Sequence, residues 1–355
     1  MIKTTSLPGR TIVVDGKERL YFSGTSYLGI HKNAIFQELV RNGFDHYGTG
    51  YSSSRSSNVQ LAVYQEAEDW LANFTGASRA LTFSSGYLAG QALIRTLDQR
   101  QRFVYAPKAH PALWRSEKDN IIGDFKRWVS HLEAKVGYGS KEVVIVANSV
   151  DPLYARSHSF DWVAHLPDYL KVTLVIDDSH GLGIMGEQGG GIYAIVKSLL
   201  PANVSLVVVS SLGKALGVPG GVVLGEEPII EALQKSPYFT GASPTAPAYL
   251  SAMLRADKLY SSLRAQLEQN VRYFQAIIQE TSVFRYFGTY PVFYSPDQNL
   301  CEELQDACVL SHFPYPHPDS NCITRVVISA LHTQSDLDTL GQLVLEYASS
   351  KILEI

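Results

Sequence analysis

The sequence predicts an α/β protein built on a mainly parallel sheet with helices on both faces. Three observations carry that expectation. Between residues 100 and 225, runs of Val, Ile and Leu recur at Phe103–Tyr105, Val143–Ala147, Val172–Ile176, Leu206–Val209 and Val222–Leu224. Continuous rather than alternating apolar runs mark strands buried on both faces. Helical patterns separate them, near Pro111–Ser116, Asp161–Leu170 and Ile192–Leu199, which is the alternation of an α/β sheet. The notable polar residues Ser85, His110, Ser149, Asp177 and Lys214 each follow a strand within a few positions, and ligands bind at the carboxyl ends of such strands.

The elements follow in order. Residues 1–33 read as a short extended arm in which Thr11–Val14 and Arg19–Phe22 flank the turn signal Asp15-Gly16. Asn33–Val40 is helical in pattern, and Tyr47–Arg55 is small, polar and loop-like. Residues 59–75 form a helix, with Val63, Ala67, Trp70, Leu71 and Phe74 at helical spacing, Glu66, Glu68 and Asp69 facing out, and Gly76 as its stop. Arg79–Phe83 is a strand that runs through Ser84-Ser85-Gly86-Tyr87 into a helix from Leu88 to about Leu97. Free N–H groups at such a helix start suit an anion, although an ordinary β–α turn reads the same. After residue 225 the character shifts. Tyr238–Pro247 is a loop, and a long helical stretch runs to about Glu280 with Leu263, Leu267, Val271, Phe274 and Ile278 on one face. Strands near Pro291–Tyr294 and Thr324–Ser329 lead to a last helix, opened by the capping pair Thr333 and Asp336 and striped by Leu337, Leu340, Val344 and Tyr347. The expected organisation is an arm (1–33), a large domain (34–258) and a smaller α+β domain (259–355).

Composition narrows the function classes. The chain has 355 residues, 45% hydrophobic and 18% charged, with a formal net charge of -4, and a pI near 6.2. Neither charge nor pI suits nucleic acid or an anionic membrane, which select basic surfaces. Cys301, Cys308 and Cys322 have no C-x-x-C spacing, which fits a reducing compartment and no zinc site. No apolar run has signal-peptide or membrane-spanning length. A cytoplasmic protein is expected.

Two stretches carry chemistry. In Leu206–Gly221, LVVVSSLGKALGVPGG, a buried run ends in a small-residue turn that presents Lys214. Desolvation there lowers a lysine's pKa, which makes it a candidate Schiff-base nucleophile, although this stretch alone reads equally as a surface lysine in a glycine-rich turn. A phosphate loop fits poorly, because Val208 and Ala215 stand where the pattern needs Gly and Ser or Thr. In Leu174–Gly191, LVIDDSHGLGIMGEQGGG, Asp177 directly follows a buried Val-Ile pair and His180 lies on the next turn. Gly181, Gly183 and Gly186 match a dinucleotide fingerprint literally, but the match opens a loop, and no acidic residue lies between Glu187 and Glu226. Hydride transfer is therefore the minor alternative. A carboxylate directly behind a buried run is costly unless it meets a cation, although a helix or turn cap for Asp177 and a structural histidine for His180 read the same residues. The protonated ring nitrogen of pyridoxal phosphate is such a cation, and its protonation makes that cofactor an electron sink.

With these motifs assembled, the chain resembles the α-oxoamine synthases, pyridoxal-phosphate enzymes of the aspartate-aminotransferase fold (type I). The resemblance rests on Asp177-Asp178-Ser179-His180-Gly181 and Leu212-Gly213-Lys214-Ala215-Leu216-Gly217. Tyr27-Leu28-Gly29, Tyr47-Gly48-Thr49-Gly50, Ser85-Gly86-Tyr87 and Ile328–Thr333 support it. It implies a homodimer that joins an amino acid to an acyl-CoA thioester with loss of CO2. Lys214 would hold the cofactor covalently, Asp177 would pair with its ring nitrogen, and His180 and Ser149 would lie by its ring hydroxyl. Ser85, Gly86, Tyr87 and Ser211 fall at phosphate or ring contacts, and Thr240 at a loop that reaches a neighbouring subunit's phosphate. Arg325 falls where the amino-acid carboxylate is received, while a surface ion pair is the other reading of a lone arginine in an edge strand. His110 falls where the family stacks a histidine on the ring, while a surface histidine before a helix reads equally well. An aminotransferase or lyase of the same fold fits the same cofactor residues. The chain departs from the family pattern at Ser52-Ser53-Ser54, at Asn148–Pro152 and at Ile323.

Overall fold

In the computed structural model, which describes residues 2–136, 141–315 and 317–353, the apolar runs form strands. In chain order these are β1 (Thr11–Val14), β2 (Lys17–Phe22), β3 (Arg79–Phe83), β4 (Arg102–Tyr105), β5 (Glu142–Asn148), the two-residue β6 (Val150–Asp151) and β7 (Arg156–Ser157), β8 (Lys171–Asp177), β9 (Val204–Ser211), β10 (Gly221–Gly225), β11 (Val292–Ser295), β12 (Cys308–Pro314) and β13 (Cys322–Val327). The chain divides into two compact units, one of residues 34–150 and 157–257, the other of residues up to 33, 151–156 and 258 onward. No helix among the described residues is long and apolar enough to cross a membrane.

The larger unit contains a six-stranded sheet in the order β3-β10-β9-β8-β5-β4. The ladder from β4 through β5 and β8 to β9 is parallel, and β10 is antiparallel to both β9 and β3. The fold is therefore the expected mainly parallel sheet, with one reversed strand where the lysine turn folds β10 back beside β9. Leu81, Phe83, Val144, Val146, Val175, Val207, Val209 and Val223 form one packed core with Ala89, Ala92, Leu93 and Ile94 of the helix Gly86–Thr96. Each buried Val, Leu, Ile or Phe among them contributes about 1.5–3 kcal/mol.

Local chemistry explains where this unit departs from expectation. The pattern at Pro111–Ser116 yields only one 3-10 turn, Pro111–Leu113, because Trp114 is already extended. That at Asp161–Leu170 stops at His165, since Leu166 precedes Pro167 and takes the extended conformation. The helix Ala62–Thr75 ends at Gly76 with φ 73°, as its left-handed stop requires. Glu68 does not face out. It is 3% exposed, and its carboxylate receives both terminal nitrogens of Arg55 at 2.9 and 3.1 Å and the Thr82 N–H at 2.8 Å.

The smaller unit holds a five-stranded sheet, β1-β2-β12-β13-β11. Asp15 and Gly16 have φ of 51° and 77° and close the β1–β2 hairpin, the backbone that such a two-residue turn demands. β2 runs parallel to β12, and β13 is antiparallel to both β12 and β11. The helix Asp257–Ile278 buries Leu267, Val271, Phe274 and Ile278, and the helix Gln334–Leu353 buries Leu337, Leu340, Val344 and Tyr347. At Gly341 a Cβ would stand 2.5 Å from Ile277 Cγ2, so glycine permits their close approach. Thr333 and Asp336 cap the last helix reciprocally: Asp336 Oδ2 accepts the Thr333 N–H at 2.8 Å, and the Asp336 N–H donates to Thr333 Oγ1 at 3.3 Å.

Candidate active site

The carboxyl edge of the large sheet gathers most of the candidate residues. The parallel register sets Asn148 opposite Asp177, and Asp177 opposite Val209. Asp177 is the last residue of β8 and is buried. Its Oδ1 accepts the Ser179 N–H at 2.8 Å. Its Oδ2 accepts no hydrogen bond from any described residue and lies 3.7 Å from His110 Nδ1. The Ser149 N–H donates to the Asp177 carbonyl at 2.8 Å, which ties the end of β5 to β8. Ser179 reaches the other way: its Oγ accepts the Ser211 N–H at 2.8 Å. His180 follows on the same turn, half-buried, where the Gly181 N–H closes on the Asp178 carbonyl at 3.0 Å.

Lys214 sits on the loop between β9 and β10. The Leu212 N–H donates to the Gly220 carbonyl at 2.9 Å and the Val218 N–H to the Leu212 carbonyl at 3.0 Å, so the loop is cinched at its base. Gly217, at φ 67°, supplies the left-handed turn. The ammonium has no hydrogen-bond or ion-pair partner among the described residues. Burial lowers its pKa, and the Asp177 carboxylate acts against this by raising it. That field places the two groups within electrostatic reach of each other.

Beside this rim starts the helix Gly86–Thr96. Ser85 is its N-cap, and its Oγ accepts the Leu88 N–H at 3.0 Å. The Gly86 and Tyr87 N–H groups head the helix, where no preceding turn offers acceptors. Gly86 is there because a Cβ would stand 2.8 Å from Ser211 Cβ. The Ser211 hydroxyl accepts the Gly213 N–H at 3.2 Å. Thr240 ends the short helix Pro237–Thr240. Its hydroxyl donates to the Ser236 carbonyl at 3.2 Å, and its carbonyl accepts the Ser54 hydroxyl at 2.6 Å.

Behind Asp177 lies a second buried acid. Asp178 Oδ2 accepts the Ile192 N–H at 2.8 Å. A Cβ on Gly181 or Gly191 would stand 2.1 Å from one of its oxygens, so those glycines make room for the carboxyl. Burial pushes its pKa up to about 7, with Ser149 and the Ile192 N–H acting in the opposite direction. Ser149 Oγ is buried beside this carboxyl without a well-aligned hydrogen bond.

Arg325 belongs to the smaller unit, on β13. It is 5% exposed, its Nη1 donates to the Pro152 carbonyl at 2.7 Å, and its buried Nε has no hydrogen-bond partner. No described carboxylate pairs with it. A buried guanidinium without a counter-ion favours capture of an anion.

The larger unit fits pyridoxal phosphate. A half-buried amine with no ion-pair partner among the described residues meets the need for a covalent anchor. The open Asp177 Oδ2 matches a ring N–H. The glycine start of a helix against Ser211 suits a phosphate. Among the candidate residues, the structure joins Asp177, His110, Ser149 and Ser211 by direct contacts or through Ser179, and Lys214 through its field. Ser179, which bridges β8 and β9, and Asn148, whose side chain bonds the His110 turn, are the residues that sequence reasoning passed over. Both stand beside singled-out positions, and strand alternation signals that Asn148 and Ser149 point to opposite sides.

Residues 27–342 match the family model of aminotransferases of class I and II. The chain is 29% identical over 366 residues to the 8-amino-7-oxononanoate synthase of Chromobacterium violaceum, covering 96% of this chain and 92% of that protein. It is 33% identical over 277 residues to the 8-amino-7-oxononanoate synthase of Dechloromonas aromatica, covering 74% of this chain and 70% of that protein. In fold it is similar to a serine palmitoyltransferase variant from S. paucimobilis solved with a bound PLP–myriocin aldimine, at a TM-score of 0.83 and 18% identity over 100% of this chain and 94% of that one.

Proposed function

The chain belongs to the aminotransferase class I and II family and, within it, to the α-oxoamine synthases, and from that premise we propose that it condenses an amino acid with an acyl-CoA thioester as 8-amino-7-oxononanoate synthase does. It is a pyridoxal-phosphate-dependent transferase. The finer reading is supported by the likeness to 8-amino-7-oxononanoate synthases over most of the chain, while the amine of Lys214, within reach of the Asp177 charge, and the open Asp177 Oδ2 support the cofactor that this reading shares with aminotransferases.

The assigned roles follow from the chemistry of each residue. Lys214 would hold the cofactor's aldehyde carbon and Asp177 its ring nitrogen. His110 would face the ring, and His180 and Ser149 would lie by its hydroxyl. The phosphate would meet the N–H groups of Gly86 and Tyr87, with Ser85, Ser211 and, from a neighbouring subunit, Thr240 around it. Bound there, pyridoxal phosphate supplies an electron sink for the carbanion at the amino acid's Cα. Lys214 Nζ, whose pKa burial lowers, would take the Cα proton, a use for which lysine's flexible stem suits it. Arg325 would receive the amino-acid carboxylate through its free guanidinium edge, a planar match for two oxygens. A cytoplasmic homodimer is the setting of this reading, and the three free cysteines suit a reducing compartment.

The test uses the cofactor-loaded protein with alanine, glycine or serine and acyl-CoA thioesters of graded length. Free CoA should appear only when an amino acid and a thioester are both present. Conversion of the cofactor to its amine form by amino acid alone would place the chain among the aminotransferases instead.

A further inference from the structure

The parallel ladder between β4 and β5 runs from the Arg102–Val143 pair to the Tyr105–Val146 pair. One more rung follows, the Ala106 N–H donating to the Val146 carbonyl at 2.8 Å. Beyond it the chain leaves the sheet through Lys108, a non-glycine residue at φ 61°. This left-handed backbone is uncommon for such a side chain and persists only where its surroundings hold it. Two bonds hold it here. The Lys108 N–H donates to the Ile121 carbonyl at 2.9 Å, and the Lys108 carbonyl accepts Nδ2 of Asn148 at 2.7 Å. The same amide grips the other side of the turn, its Oδ1 accepting the His110 N–H at 3.0 Å. One atom donates and the other accepts, so the amide has a single orientation.

The Asn148 side chain thus replaces the missing rungs of the ladder. It is also fixed from behind, where its own carbonyl lies 3.0 Å from His158 Nδ1, and His158 stacks on Phe125 with ring centroids 3.9 Å apart. The turn that it grips delivers His110, whose Nδ1 accepts the Ala112 N–H at 3.2 Å and stands 3.7 Å from Asp177 Oδ2. Because Asn148 is opposite Asp177 in the register, one strand end sets the spacing of both groups.

We propose that Asn148 is the positioning residue for His110: its amide, bonded to both sides of the left-handed Lys108 turn, fixes where the imidazole stands relative to Asp177. This inference rests on the reading of His110 as the group that faces the cofactor ring. Asn148→Asp keeps the shape and the acceptor for His110 but turns an acceptor toward the Lys108 carbonyl. Asn148→Leu removes both bonds at similar volume.

The experiment is a double-mutant cycle with His110→Ala, read by pyridoxal phosphate dissociation constant, by the absorption maximum of the bound cofactor, and by kcat/KM, with thermal unfolding alongside. A displacement of about 1 Å at a reacting centre costs on the order of 100-fold in rate. Each Asn148 variant should therefore weaken kcat/KM by about 10- to 100-fold and shift the absorption maximum. In the His110→Ala background, the same substitution should change the dissociation constant and kcat/KM by less than about twofold and leave the absorption maximum unshifted, since it acts through a residue already removed. Additive losses, or Asn148 variants that match the parent while His110→Ala is impaired, overturn the proposal. A His110→Ala protein with parental cofactor affinity, spectrum and rate refutes the underlying reading of His110, and the proposal falls with it. Loss of folding in both Asn148 variants would make the residue a folding element and overturn the proposal as well.

Discussion

Breaking the buried Arg55–Glu68 pair should destabilise the larger unit severely. The two side chains are 8% and 4% exposed, and the guanidinium bonds the carboxylate through both terminal nitrogens. The N–H and hydroxyl of Thr82 complete the carboxylate's shell at 2.8 Å each. The guanidinium lies over the Tyr64 ring at 4.3 Å and the Phe239 ring at 5.1 Å. Arg55→Met leaves the carboxylate with Thr82 alone, and Glu68→Leu leaves the guanidinium buried without its counter-ion. Removing one partner of such a pair costs about 3–5 kcal/mol, because the other charge stays out of water. At about 2–4 °C per kcal/mol for a unit of this size, melting should fall by roughly 10 °C. Urea unfolding of the parent, both single variants and the double variant Arg55→Met with Glu68→Leu checks this. The double variant should lose less than either single one, since it strands no charge. Because the Ser54 hydroxyl bonds the Thr240 carbonyl and Phe239 touches Arg55, the single variants should also hold cofactor more weakly. Single variants within about 1 kcal/mol of the parent, or a double variant that simply sums them, would refute the reasoning.

Lys214→Ala should abolish both turnover and the visible absorbance of lysine-bound cofactor, as checked by spectroscopy of protein refilled with pyridoxal phosphate. Asp177→Asn should retain cofactor yet lose activity by about 100-fold or more, because a preorganised charge is removed from the reacting ring. Near-normal turnover in that variant would contradict the electron-sink role. His332 gives a pH signature. Its Nδ1 accepts the Ser329 N–H at 2.9 Å, its Nε2 meets the Tyr21 carbonyl at 3.0 Å, and burial pulls its pKa down to about 4. The native pKa lies below the ordinary 6.5. The contribution to stability is therefore complete above pH 6.5 and disappears as pH falls toward 4, amounting to about 3 kcal/mol. Urea titrations at pH 7 and pH 5 should show this slope in the parent and its loss in His332→Asn.

The strands and the chemical rim were legible because burial leaves a one-dimensional trace. A strand covered on both faces has to be a continuous apolar run, as at Val143–Ala147 and Val172–Ile176, so a polar residue just past its end marks the sheet's edge. The same logic exposes Lys214 after Leu206–Val209. Capping is equally local, and the Thr333 and Asp336 pair forms as its spacing dictates. Glu68 was misjudged because helical spacing alone does not show that Arg55 arrives from a distant loop. One such ion pair turns a charged position into a buried one. The mixed pattern of β12, CVLSHFP, has no clean period, because its two faces are buried unevenly.

By itself, then, the sequence determined which residues are apolar enough to be covered, which turns close, and which polar groups end up at strand ends, since these follow from solvation and backbone preference within a few residues. Tertiary structure alone decided the direction of β10, the partner of Glu68, the carboxyl cradle formed by Gly181 and Gly191, and the grip of Asn148 on the His110 turn. Those outcomes depend on atoms far apart in the chain meeting at hydrogen-bond distance. That meeting is fixed by how whole strands register, and no local window of residues encodes it.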